Sequence, residues 1–142
     1  MVVDGVSYIF PAQSVLPLIA YQSFTFERPG EVVAWQFNLL VEHYFRQKHT
    51  VSEYADLLNR SPKTLTNLFA SHGQKNPLQV IHERIMLEAR RLLISTDKNN
   101  KEIGYELGFG EVAHFSRFFK KHAGVPPAGF KKNYLKPLVH SA

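Results

Sequence analysis

Arg117, Lys120, Ser116, His114 and Ala113 fall on one side of the run KEIGYELGFGEVAHFSRFFKK, residues 101–121, and their types suit chemistry with a polyanion. A guanidinium can take two acceptors on a guanine edge, a hydroxyl or imidazole can donate or accept, and a small side chain allows close approach. Lys120 and Lys121, with Lys131 and Lys132 further on, are point charges suited to gripping phosphate. At helical spacing the opposite side of the same run is aromatic, with Phe115, Phe118 and Phe119 stacked along it.

A face of that kind needs a helix held from behind. Ile103 and Leu107, one turn apart, predict a preceding helix, and Gly108 and Gly110 bracket Phe109 as a glycine turn that swings one helix across the next. The expected product is a helix-turn-helix whose second helix, residues 111–122, enters a DNA groove. Asn99-x-x-Glu102 reads as a capping box at its start.

Upstream, the helical pattern is expected from Asn38, with Leu39, Leu40, Tyr44 and Phe45 forming the apolar stripe of a helix that ends near Lys48 or His49. Thr50-x-x-Glu53 caps a next helix, in which Tyr54, Ala55 and Leu58 face inward. Ser61-Pro62 opens a further helix over about 62–71, with Leu65, Leu68 and Phe69 inward and Lys63, Thr64, Thr66 and Asn67 outward. Asn76-Pro77 begins a long helix to about Ser95, striped by Leu78, Ile81, Ile85, Ala89 and Leu92 and about 28 Å long, which serves as a spacer. A short last helix is expected from Pro127, with Phe130 and Tyr134 inward.

The two capped units repeat. Leu58 answers to Leu107, Leu65 to Phe115, Thr66 to Ser116, Asn67 to Arg117 and Phe69 to Phe119, and a proline (Pro77, Pro127) follows the last phenylalanine of each. Two copies argue against a solenoid and for a pair of readers joined by one helix.

TVSEYADLLNRSPKTLTNLF, PLQVIHERIMLEARRLLIST and above all KEIGYELGFGEVAHFSRFFKKHAGVPPAGFKK resemble the DNA-binding domain of AraC/XylS-type bacterial transcription regulators, over about residues 38–135. The resemblance implies two helix-turn-helix motifs, joined by the long helix, that insert their recognition helices into adjacent major-groove segments. It implies Lys63, Thr66 and Asn67 as readers in the first unit, and Val112, Ala113, His114, Ser116 and Arg117 in the second. Gly104 stands where the family usually has alanine, Asn67 where arginine is common, and Glu111 where the cap is usually Asp or Ser.

The expected fold is therefore mainly α, two helix-turn-helix subdomains over residues 38–136 joined by a linker helix, with a tail at 137–142. Residues 1–37 differ. VSYIF, AYQSFTFE and VVAWQF are β-branched and aromatic, and Arg28-Pro29-Gly30-Glu31 suits a type II turn, so a short β-hairpin-like extension or a remnant of an effector domain is expected. About thirty residues cannot enclose a ligand cavity.

Charge supports the polyanion reading. Residues 1–37 hold Asp4, Glu27 and Glu31 against Arg28, a charge of −2, so the chain's net +5 leaves +7 on residues 38–142. No acidic residue follows Glu111. A polyanion is the natural partner for that end; the resemblance implies double-stranded DNA, with RNA polymerase or other transcription machinery expected beside it and a homodimer through a strand edge of residues 1–37 as a further expectation. The rival reading is a protein-interaction module that binds an acidic partner through the basic C-terminal face.

Other classes fit poorly. The 142 residues hold no cysteine, which suits a cytoplasmic protein; the longest apolar run, near Val15–Ala20, is broken by Pro17 and falls far short of a membrane span; and no basic n-region opens the chain. Gly108-x-Gly110-x-x-Ala113 imitates a dinucleotide fingerprint but follows a helix. His82-Glu83 begins a zinc-protease motif that Met86 breaks, and no serine sits in a glycine elbow. No enzyme, cofactor or metal is expected.

Overall fold

The computed structural model describes residues 2–3, 6–7, 29–71 and 75–140. Among them run the helices α1 (Pro29–Tyr44), α2 (Val51–Leu57), α3 (Pro62–Ser71), α4 (Pro77–Ser95), α5 (Asn100–Glu106), α6 (Val112–Ala123) and α7 (Pro127–His140). Two strands, β1 (Val2–Val3) and β2 (Val6–Ser7), pair antiparallel with Val2 opposite Ser7 and Val3 opposite Val6. The chain packs as two units, residues 1–82 and 83–142.

The first unit corrects the reading of its N-terminal part. Pro29 and Gly30 do not form a hairpin turn; they open α1, and the β-branched stretch VVAWQF lies inside it. A proline's fixed φ suits the first turn of a helix, and burial then outweighs strand propensity, which chiefly measures how a side chain packs. Val33, Phe37, Val41 and Phe45 recur every four residues and are all buried, with Leu40 beside them. Position 37 thus lies mid-helix, not at a strand end, and the helix expected from Asn38 starts nine residues earlier. The expected strand AYQSFTFE lies outside the described residues.

α1 is the wall against which α2 and α3 pack. The Phe37 ring sits 5.4 Å from that of Tyr54 and 5.2 Å, edge-on, from that of Phe69. Ala55 and Leu65 complete this core. Tyr54, fully buried, donates its hydroxyl to the Lys48 carbonyl at 2.8 Å, which satisfies the one polar atom the ring takes inside. Burial pushes its phenol well above the ordinary range, so it stays protonated.

α4 spans the expected residues. Asn76 and Gln79 cap it reciprocally, the Gln79 N–H donating to Asn76 Oδ1 at 2.9 Å and the Asn76 N–H to Gln79 Oε1 at 3.0 Å. Ile81, Ile85, Ala89 and Leu92 are buried as the stripe predicts, with Met86 and Leu93 added. Leu78 is the exception at 43% exposure, because it lies in the first turn.

In the second unit the inner faces of α5 and α6 meet. Ile103, Leu107, Phe109, Phe115 and Phe119 are all buried, and Phe119 meets Phe130 of α7 edge-on at 5.5 Å. Tyr134 is half exposed at 50%, not turned inward as its spacing suggested. One buried carboxylate stands in this unit: Glu88 of α4, which accepts from Arg91 Nε at 3.1 Å and lies 3.5 Å from Arg84 Nη1.

Candidate nucleic-acid interface

Each unit presents a capped helix, a tight turn and a second helix, and the two turns are the same object. At the end of α2 the Asn59 N–H donates to the Asp56 carbonyl at 3.2 Å and the Arg60 N–H to the Ala55 carbonyl at 3.0 Å. At the end of α5 the Gly108 N–H donates to the Tyr105 carbonyl at 3.1 Å and the Phe109 N–H to the Gly104 carbonyl at 2.8 Å. This paired crossing of bonds is a Schellman cap, which requires a left-handed residue just past the helix. Gly108 supplies it with φ 88° and Asn59 with φ 54°. Glycine meets that demand without strain, and asparagine is among the few side chains that tolerate it. Sequence reading found the glycine turn and missed its twin; the signal was an asparagine directly after the last apolar residue of a capped helix.

The caps at the front of each motif also match. Thr50 Oγ1 accepts from the Glu53 N–H at 3.3 Å while Glu53 Oε2 accepts from the Thr50 N–H at 3.0 Å. Asn99 and Glu102 repeat the exchange at 2.9 and 3.1 Å. Partial burial works to raise the Glu53 carboxyl, but hydrogen bonds from Thr50 and His49 and the Lys48 charge hold it below its ordinary value.

Behind the turns, α3 buries Leu65 and Phe69, and α6 buries Phe115 and Phe119. Their other faces are open. Lys63, Thr64, Thr66 and Asn67 are exposed on α3; Val112, Ala113, His114, Arg117, Lys120 and Lys121 are exposed on α6, with Ser116 half-exposed. The His114 ring stands edge-on to Phe109 at 5.3 Å, so it packs at the turn while remaining exposed.

The starts of the two helices differ. Ser61 Oγ accepts from the Thr64 N–H at 3.1 Å and shares a hydrogen bond with the Thr64 hydroxyl at 2.8 Å. Glu111 takes the N-cap backbone shape but its side chain makes no capping bond. The last turn of α6 carries the cations Lys120 and Lys121, and His122, before a left-handed Gly124. His122 packs on Phe118 at 4.5 Å, and burial together with the Lys121 and Arg90 charges lowers its pKa.

The repeat predicted from sequence has physical counterparts at several paired positions, although Leu58, expected inward, is only half-buried where Leu107 is fully buried. Leu58 and Leu107 both occupy C-caps, Leu65 and Phe115 are both fully buried, and Asn67 and Arg117 are both exposed. Among the described residues no group of three His, Asp or Glu side chains could hold a metal, and no helix is long and apolar enough to cross a membrane.

Residues 54–133 match the family model described as a helix-turn-helix domain. Over 100 residues the chain is 28% identical to the HTH-type transcriptional activator RhaS of Enterobacter sp. (strain 638), covering 70% of this chain and 34% of that protein. It is 24% identical over 90 residues to the uncharacterized HTH-type transcriptional regulator YdiP of Escherichia coli (strain K12), covering 63% of this chain and 30% of the other. The chain thus spans about a third of the length of these curated relatives. Among solved structures it is similar to the DNA-binding domain of the global transcriptional factor AdpA in complex with a target DNA, with 28% identity, a TM-score of 0.60 and coverage of 75% of this chain and 92% of that one. The C-terminal domain of the response regulator yesN from Fusobacterium nucleatum shares the fold at a TM-score of 0.65 and 23% identity, covering 70% of this chain and 98% of its own.

Proposed function

Because this chain belongs to the helix-turn-helix family of AraC-type transcription regulators, we propose that it binds specific sequences in double-stranded DNA and thereby regulates transcription. α3 and α6 act as recognition helices in adjacent major-groove segments, within a DNA-binding domain that begins with α1. The observation that carries this reading is the duplication itself: two corners with the same cap exchange and the same crossed turn bonds, each followed by a helix with an apolar inner face and an exposed polar face.

In this reading Lys63, Thr64, Thr66 and Asn67 of α3 and Val112, Ala113, His114, Ser116 and Arg117 of α6 meet the groove. Lys120 and Lys121 grip phosphate beside it. Arg117 is the strongest anchor, since a guanidinium can make a bidentate pair with guanine and still neutralise nearby phosphate. The work is binding, with no catalysis and no cofactor, in the cytoplasm where the DNA lies. RNA polymerase is the proposed partner of the bound complex, and pairing through the residues before α1 the proposed route to a dimer.

Two measurements test this. Binding to a mixed-sequence duplex should weaken steeply as salt rises, because neutralised phosphates release counterions. Selection from a random DNA pool should then return a recurring sequence. A chain that ignores duplex DNA at low salt but captures an acidic protein would instead be an interaction module.

A further inference from the structure

On α3 the polar side chains are not equally free to read bases. The Thr66 hydroxyl donates to the Pro62 carbonyl one turn back, at 3.0 Å. The Thr64 hydroxyl is shared with Ser61 at 2.8 Å. Both threonine hydroxyls are therefore spent on the helix's own start, and the Ser71 hydroxyl at its other end donates to the Leu68 carbonyl at 2.8 Å. Asn67 differs: it is exposed, and among the described residues its amide has no partner.

We propose that α3 selects an A·T-bearing half-site, in which the Asn67 amide takes the major-groove edge of adenine and Thr66 presents its methyl group, not its hydroxyl, to the methyl of a neighbouring thymine. The inference rests on the DNA-binding reading above and names the bases its first motif takes. An asparagine amide offers one acceptor and one donor face, which match the adenine N6 amino group and N7; guanine offers only acceptors there, and would leave the amide oxygen unpaired. A threonine whose proton is held by its own backbone has lost its donor. What remains to set against a base is the oxygen as an acceptor and the methyl group, and the methyl finds its match in thymine, which alone carries a methyl in the major groove. The two residues are adjacent in sequence and both exposed. Lys63, one turn before Asn67, is a donor-only group suited to the flanking phosphate.

The test is selection from a random pool with the parent chain and with N67R, N67A, T66V and T66S, all exposed substitutions checked for retained helix content. The parent should return an adenine at one position that N67R converts to guanine, with the other positions unchanged. N67A should flatten that position and weaken the selected site about 5- to 100-fold, the usual worth of a bidentate pair. T66V, which keeps the methyl and loses the hydroxyl, should lose clearly less than T66S. T66S should lose about fourfold, the worth of one buried methyl, and replacing the neighbouring thymine by uracil should cost the parent the same and T66S nothing. A position that N67R leaves unchanged, or T66V losing as much as T66S, overturns the inference while the DNA-binding reading stands. A parent with no salt-dependent affinity for duplex DNA overturns the reading itself.

Discussion

A β-carbon placed on Gly104 would stand 3.0 Å from the β-carbon of Phe115 and 3.2 Å from its γ-carbon. Both positions are buried, and both obstructing atoms lie near the root of the ring, where a rotamer change gives little relief. The glycine in the middle of α5 is therefore the condition for α6 to seat a phenylalanine so closely against it. The matching position of the first motif is Ala55, paired in the repeat with the smaller Leu65.

Gly104→Ala should destabilise the fold by about 1 kcal/mol, since overpacking of about 1–3 kcal/mol outweighs the 0.5–1 kcal/mol gained from helix propensity. A urea titration of the purified chain reads this directly. An alanine variant as stable as the parent would mean that the propensity gain prevails and the contact yields.

The twin turns predict a matched pair of effects. Gly108→Ala forces a β-carbon into a left-handed residue at φ 88° and should cost about 1–2 kcal/mol. Asn59→Gly should change stability by no more than a few tenths of a kcal/mol, because glycine accepts the φ of 54° freely. Denaturation midpoints that moved equally for both would contradict the common turn geometry.

Glu88 is almost wholly buried and holds Arg91 and Arg84 on α4. Removing it takes away the carboxylate 3.5 Å from the inward-lying Arg84 Nη1. Glu88→Ala should cost about 2–3 kcal/mol, below the full penalty of a broken buried pair because Arg91 is half exposed. Thermal melts of Glu88→Ala and Arg91→Ala should separate clearly, with Arg91→Ala the milder of the two.

Glu53 gives a pH dependence with a definite sign. Its folded pKa lies below the ordinary 4.5, so folding favours the carboxylate. The stability it adds is present above that unfolded value and fades as pH falls through the folded one. The gap between parent and Glu53→Ala should be about 1 kcal/mol at neutral pH, the size of a helix cap, and should narrow below pH 4.5. A gap that widened in acid would reverse the assignment.

On DNA, Arg117→Ala should weaken binding of the selected site about 5- to 100-fold and relax preference at one base position. Lys121→Ala should weaken all sequences alike and reduce the salt slope by about one. Fluorescence anisotropy across a salt series distinguishes a base reader from a phosphate grip. Near-parental affinity of Arg117→Ala at moderate salt would remove it as the anchor.

Much of this was legible along the chain because the signals are local. A capping box such as Thr50-x-x-Glu53 or Asn99-x-x-Glu102 is an interaction within one turn, and helical stripes such as Ile81, Ile85, Ala89 and Leu92 repeat over a few residues. The helices from α2 to α7, the doubled motif and the outward sets on α3 and α6 follow from such signals, as does the cationic end of the chain. Leu78 strayed from its stripe because it stands where a helix begins, and Tyr134 is half exposed.

What only the tertiary structure decided depends on groups distant in sequence, or on where a single proton points. The stretch VVAWQF has the composition of a strand and became helix because Phe37 finds Tyr54 and Phe69 to pack against. Gly104 looks like a weakness in α5 until Phe115 is seen against it. Thr66 and Asn67 read from sequence as equivalent polar residues, yet one spends its hydroxyl on Pro62 and the other keeps its amide for what comes to the surface. Sequence determines which side chains a helix turns outward, because the α-helical period is built into the backbone; it cannot tell which of them the rest of the fold has already engaged.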